Sequence, residues 1–193
     1  MNQRAIAQAL ATVDWGLAPP VNPHYPGIHR EADPWLDSVG LADKPGRLEK
    51  HRRIAVPLFA SMAYPTASRE HLLLAHDWMA WLFEYDDQFD DGDDGHSTQR
   101  ARQSRESLLS LLTSTARARD VPGRTLHSGL SDIWSRLRAV SPPGLCARFA
   151  GHVADYLESY EWETQNRRVG YCPDVEEYLA KRQHTGAAHS CFD

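Results

Sequence analysis

Residues 78–91 read WMAWLFEYDDQFDD. Apolar and aromatic residues fill the first part and carboxylates the second, with no proline or glycine between them. The stretch therefore reads as the C-terminal half of a helix. Asp86 and Asp90 are four residues apart and share one face; Asp87 is adjacent around the helix, and Asp91 lies four beyond it. Phe83, Leu82 and Met79 fall one and two turns back along the face of Asp86, with Trp78 and Trp81 close by. Carboxylates this close repel one another, and the C-terminus is the unfavourable end of a helix for anions. The pattern calls for a counter-cation. Hard oxygen ligands suit Mg²⁺ or Ca²⁺, with Mn²⁺ as an alternative. Metal at the rim and aromatics below it suit a ligand with a polyanionic head and an apolar tail.

The charge distribution sharpens this reading. The chain has 193 residues and a net charge of -5. Seven of its 26 acidic residues lie within residues 84–94, which leaves 19 acids against 21 basic residues elsewhere. Nearly neutral protein surrounds one anionic site, so there is no basic face of the kind a nucleic-acid binder needs. No apolar run is long enough to span a bilayer, and residues 1–10 lack the apolar core of a signal peptide. Cys146, Cys172 and Cys191 are odd in number and widely spaced, which points to a reducing, cytoplasmic setting rather than a disulfide framework.

Outward from the acidic stretch, the chain reads as helices punctuated by proline and glycine. Helices are expected over residues 29–39 and 47–55, the second disturbed at Pro57, then from a Thr66 or Ser68 cap to about residue 90. Further helices are expected from Ser97 or Thr98, over residues 125–140, from Pro143 to a stop at Gly170, and from Pro173 onward. Strand alternation is absent, and neither repeat nor linker is visible. Residues 1–193 read as one all-α domain. An EF-hand starting at Asp90 fails, because Gly92 and Ala101 stand where oxygen ligands belong. Zinc, P-loop, dinucleotide and nucleophile-elbow motifs are missing as well.

The stretch Trp78–Asp91 resembles the aspartate-rich motif of bacterial class I terpene synthases. Glu177–Asp193, EYLAKRQHTGAAHSCFD, resembles that family's helix-break segment, with Arg182, Thr185 and Gly186 in its spacing. Asn22–Leu41, NPHYPGIHREADPWLDSVGL, resembles its N-terminal Asn-Pro and Trp segment, and Tyr156–Gly170 the helix before the break. The resemblance runs over nearly the whole chain in order. It implies a class I isoprenoid-synthase helical bundle and a terpene cyclase that ionises a linear isoprenyl diphosphate, expected to be farnesyl diphosphate. It implies Mg²⁺, three ions in the complete enzyme with Mn²⁺ as an alternative, held by Asp86, Asp87, Asp90 and Asp91. Arg182 is then the diphosphate sensor, Thr185 the linker, and Gly186 the effector whose carbonyl points at the substrate. Phe83 is the leading aromatic for stabilising a carbocation. Phe59 and Phe149 are further substrate contacts, with Tyr64, Trp78 and Tyr156 behind them.

The chain departs from the family pattern in one respect. The family's second metal motif, of the Asn-Asp-x-x-Ser-x-x-x-Glu kind, and its C-terminal Arg-Tyr pair have no counterpart, and Asn2, Asn22 and Asn166 are the only asparagines. The sequence therefore reads as a synthase domain shortened after the helix break. Two other functions stay open at this stage: prenyl chain elongation, and a non-catalytic metal- or diphosphate-binding fragment. A homodimer is compatible with either.

Overall fold

The computed structural model describes residues 20–90, 97–113 and 126–193. Asp91, Gly92 and residue 125, which the sequence reading used, lie outside them, as does the side chain of Asp90. Nine helices are described: α1 (Tyr25–Ser38), α2 (Arg47–Ile54), α3 (Val56–Ala63), α4 (Arg69–Asp90), α5 (Thr98–Thr113), α6 (Leu126–Val140), α7 (Pro143–Val169), α8 (Val175–Thr185) and α9 (Ala188–Cys191). No strand occurs among the described residues.

The incoming segment is anchored by Asn22, which is buried. Its Nδ2 donates to the carbonyls of Tyr64 and Ala67, both at 2.8 Å, and its Oδ1 accepts from the backbone N–H of His24 at 2.9 Å. Helix α1 begins a turn earlier than expected, because Pro26 suits a first turn. The disturbance near Pro57 is a full break one step upstream. Ala55 adopts a left-handed conformation (φ 57°), and α3 starts at Val56. A proline ring at position 57 would collide with the carbonyl four residues back if α2 ran on, so the chain turns before it. Pro173 also sits just outside its helix. Asp174 is the cap of α8, accepting from the Glu177 N–H at 2.9 Å. Gly170 closes α7 in the left-handed region, as expected.

Helix α4 runs through the centre and packs against α1, α3 and α6. Its Trp78, Trp81, Tyr85 and Phe89 form an aromatic ladder with successive ring centroids 5.3, 5.3 and 4.9 Å apart. Tyr156 and Tyr160 of α7 pack on its upper end, and Phe149 on Trp78. A buried polar chain ties the same helix to its neighbours. His76 pairs with Asp77 at 2.8 Å, Arg136 donates to Asp77 at 2.7 Å and to Asp132 at 2.9 Å, and Trp35 donates to Asp132 at 2.8 Å. The interior is one contiguous cluster from Ile28 to Ala187.

The approach of α6 to α4 requires a residue without a side chain. A Cβ on Gly129 would lie 2.9 Å from Cδ1 of the fully buried Trp81 and 3.4 Å from Leu41. Trp81 cannot move aside, because its Nε1 donates to the Leu126 carbonyl at 2.7 Å. Gly129→Ala is expected to destabilise the protein by about 1–3 kcal/mol, read as a lower denaturant midpoint; an unchanged midpoint contradicts this packing. The cysteines offer a second check. Cys172 is exposed and Cys146 buried, while burial pushes the partly buried Cys191 thiol above its usual range. Peptide mass spectrometry after iodoacetamide treatment near neutral pH should find Cys172 alkylated well ahead of the other two. Equal labelling of Cys191 and Cys172 contradicts it.

Candidate active site

Met79, Leu82, Phe83 and Asp86 follow an i, i+3, i+4, i+7 spacing, and this stripe of α4 lines a cavity of about 470 Å³. Phe59 of α3 and Tyr64 just after it, Tyr156 and Tyr160 of α7, and the α8–α9 junction from Arg182 to Phe192 complete the lining. The cavity is apolar over most of its wall and charged where Asp86 and Arg182 stand.

Asp86 is held from α7. The Tyr160 hydroxyl donates to Asp86 Oδ1 at 2.6 Å, and the Tyr156 hydroxyl lies 3.0 Å from that of Tyr160. Burial, followed by the neighbouring Tyr156 and Asp86, pushes the Tyr160 phenol far above its usual range; burial does the same for Tyr156. Both phenols keep their protons, so Tyr160 remains a donor to the carboxylate. Sequence reasoning singled out Tyr156 but not Tyr160, and missed this contact, which joins residues 74 positions apart.

Asp87 corrects an expectation. It does not face the cavity. Its carboxylate meets Arg47 at 2.5 Å and Lys50 at 2.6 Å, both on α2. Beside it, Glu84 pairs with His51 at 2.8 Å and with Arg47 at 3.3 Å. Two cations from α2 thus already sit on Asp87. The signal was present in the basic run of residues 47–53, but nothing in the sequence says which acids those bases meet.

Phe149 is a second correction. It is buried, edge-on to Trp78 and stacked on Trp134. It lines a different cavity, of about 350 Å³, and so leaves the set of contacts in the first. Trp78 goes with it. Phe59, Phe83, Tyr64 and Tyr156 all line the first cavity.

The helix break joins the same cavity. Arg182 Nη1 donates to Thr185 Oγ1 at 3.0 Å, and the buried Thr185 closes α8. Gly186 itself has an ordinary φ of -85°, while Ala187 takes the left-handed conformation at φ 52°. Gly186 is therefore needed for space rather than backbone freedom. A Cβ there would lie 3.1 Å from the Arg182 carbonyl and 3.6 Å from its guanidinium carbon.

Among the described residues no three His, Cys, Asp or Glu side chains are grouped to enclose a metal ion. Mg²⁺ does not require such a cage, being held by one or two carboxylates with phosphate oxygens and water completing its shell. A hard carboxylate at a cavity rim is the matching donor, so Asp86 fits; Asp90 follows it one turn on in register.

The protein-family model described as terpene synthase family 2, C-terminal metal binding, matches residues 77–193. The (+)-T-muurolol synthase of Roseiflexus castenholzii, named as cyclizing (2E,6E)-farnesyl diphosphate, is 37% identical over 90% of this chain and 52% of its own length. The crystal structure of germacradien-4-ol synthase from Streptomyces citricolor superposes with a TM-score of 0.77 at 27% identity, over 90% of this chain and 55% of that one. A protein from ancestral sequence reconstruction, SVS_A2 (W156Y mutant), shares the fold with a TM-score of 0.84 at 22% identity, over 91% of this chain and 53% of that one. The chain thus spans about half the length of these proteins. Its helices form the class I helical bundle, as expected from sequence. With the metal-binding model matched over more than half of its residues, on the helices that line the cavity, the chain belongs to terpene synthase family 2.

Proposed function

We propose that this cavity takes a linear isoprenyl diphosphate, farnesyl diphosphate in the first place, and that the protein is a terpene cyclase. One observation carries the reading: Asp86 and Arg182 share the charged part of a cavity whose remaining wall is apolar and aromatic. The names of the relatives support the substrate class.

Mg²⁺ held by Asp86, with Asp90 and Asp91 as further ligands, would neutralise the leaving diphosphate. Arg182 grips the diphosphate oxygens with directed, charge-assisted hydrogen bonds, and Thr185 Oγ1 orients its guanidinium. The allylic C–O bond breaks with its electron pair on the diphosphate, leaving an allylic carbocation. That cation meets the face of Phe83, with Phe59 and Tyr156 in the same wall. The C-terminal end of α8 also opens here, and the partial negative charge of its last carbonyls, with that of Gly186, favours the cation. A double bond of the same chain then captures the cation, and loss of a proton or addition of water ends the sequence. The apolar lining keeps water from ending it early. Residues 1–193 act in this reading as one helical domain, consistent with the single contiguous interior.

Incubation of the full-length protein with Mg²⁺ and geranyl, farnesyl or geranylgeranyl diphosphate should release a volatile hydrocarbon or alcohol. No such product from any of the three overturns the reading. Asp86→Asn is expected to lower kcat by more than about 100-fold with little change in Tm. Asp87→Asn should show the opposite balance, losing about 1–3 kcal/mol of stability as Arg47 and Lys50 lose their partner. Equal effects of the two variants on kcat would contradict the division of roles between them.

A further inference from the structure

The two cavities lie end to end along α4. Asp86, Phe83, Leu82 and Met79 line the first; Trp78, Ala75, Leu74 and His71 line the second. The order is monotonic along the helix. At about 1.5 Å per residue, the span from Asp86 to Met79 covers about 10 Å, and that from Met79 to His71 about 12 Å more. Trp78, Ala75, Leu74, Ile133, Leu137 and Phe149 give the second cavity a largely apolar lining.

Among the described residues, only Tyr64 and Cys191 line both cavities. They are bonded to each other: the Tyr64 hydroxyl donates to the Cys191 carbonyl, tying the end of α3 to the end of α9. Burial pushes the Tyr64 phenol well above its usual range, so it keeps the proton that makes this bond. The carbonyl of Tyr64 is itself held by Asn22 at 2.8 Å, which fixes the residue from its backbone side. The phenol ring is thus braced at both ends across the line that joins the two spaces.

We propose that Tyr64 is the chain-length determinant of this site: its ring, latched to the Cys191 carbonyl, closes the far end of the first cavity to an isoprenyl tail, and its removal admits a tail longer by one isoprene unit into the second. The inference rests on the functional reading above, which places the diphosphate at Asp86 and Arg182. With the head there, the tail runs toward Met79 and meets Tyr64. The walls beyond are mostly apolar, with Leu74, Ala75, Trp78, Ile133, Leu137 and Phe149 outnumbering the polar His71 and Asp193, so entry of further methylenes is favoured by burial.

The test compares farnesyl with geranylgeranyl diphosphate in wild type, Tyr64→Ala, Tyr64→Phe and Tyr64→Ala/Ala75→Leu. Turnover is measured with Mg²⁺, and binding with the unreactive thiodiphosphate analogues of the same two chains. Tyr64→Ala should raise the geranylgeranyl-to-farnesyl ratio of kcat/KM, and of analogue affinity, by at least about tenfold. Tyr64→Phe, which keeps the ring but loses the hydroxyl that latches it, should show a smaller gain than Tyr64→Ala. Ala75→Leu, which fills the second cavity, should cancel the gain. Circular dichroism checks that each variant folds; if Tyr64→Ala does not, Tyr64→Leu, a smaller plug of the same apolar character, carries the test with a smaller expected gain. An unchanged ratio in a folded Tyr64→Ala or Tyr64→Leu overturns the proposal, as does a gain that Ala75→Leu leaves intact. If wild type neither binds nor converts either chain, the functional reading itself fails and the partition falls with it.

Discussion

The rest of the structure depends on how two adjacent carboxylates are kept apart. Asp86 and Asp87 follow one another at the unfavourable end of α4, and consecutive residues of a helix point about 100° apart. That angle sends each to a different neighbour. Asp87 meets the two cations of α2. Asp86 meets a neutral phenol of α7 that can donate one hydrogen bond and supplies no charge. Asp87 is turned toward the α2 cations inside the fold, and Asp86 stands at the rim of a cavity.

Much of this was legible in the sequence because it is local. Prolines and glycines marked the helix ends to within a turn, and the spacing of Met79, Leu82, Phe83 and Asp86 put those four on one face, where they are found. The Arg182, Thr185 and Gly186 trio was legible only as a resemblance, yet its hydrogen bond and its close contact are both present. What was not legible is what distant parts of the chain do to one another. Asp87 and its partners are 40 and 37 residues apart, and Tyr160 and Asp86 are 74 apart. No periodicity reports such pairs. Phe149 shows a related limit: aromatics at helical spacing look alike whichever cavity they line, and its packing on Trp134 and Trp78 puts it beside the second.

The helix break shows the same division. A glycine near the end of a helix invites the explanation that its backbone is free, but here Ala187 carries the unusual backbone angle and Gly186 an ordinary one. Space against Arg182 is what excludes a side chain at position 186. Backbone freedom and room for a neighbour make the same demand on the sequence, and only coordinates separate them.

Asn22 sets a limit of another kind. Its amide gives two protons and takes one, to three backbone groups whose polarity is fixed. Aspartate matches it in size and shape but would turn two donors into acceptors facing the carbonyls of Tyr64 and Ala67, in a place water does not reach. Leucine would take a partner away from each of the three backbone groups. The position tolerates neither the nearest shape nor the nearest volume, so the code at residue 22 is written in the direction of hydrogen bonds rather than in size.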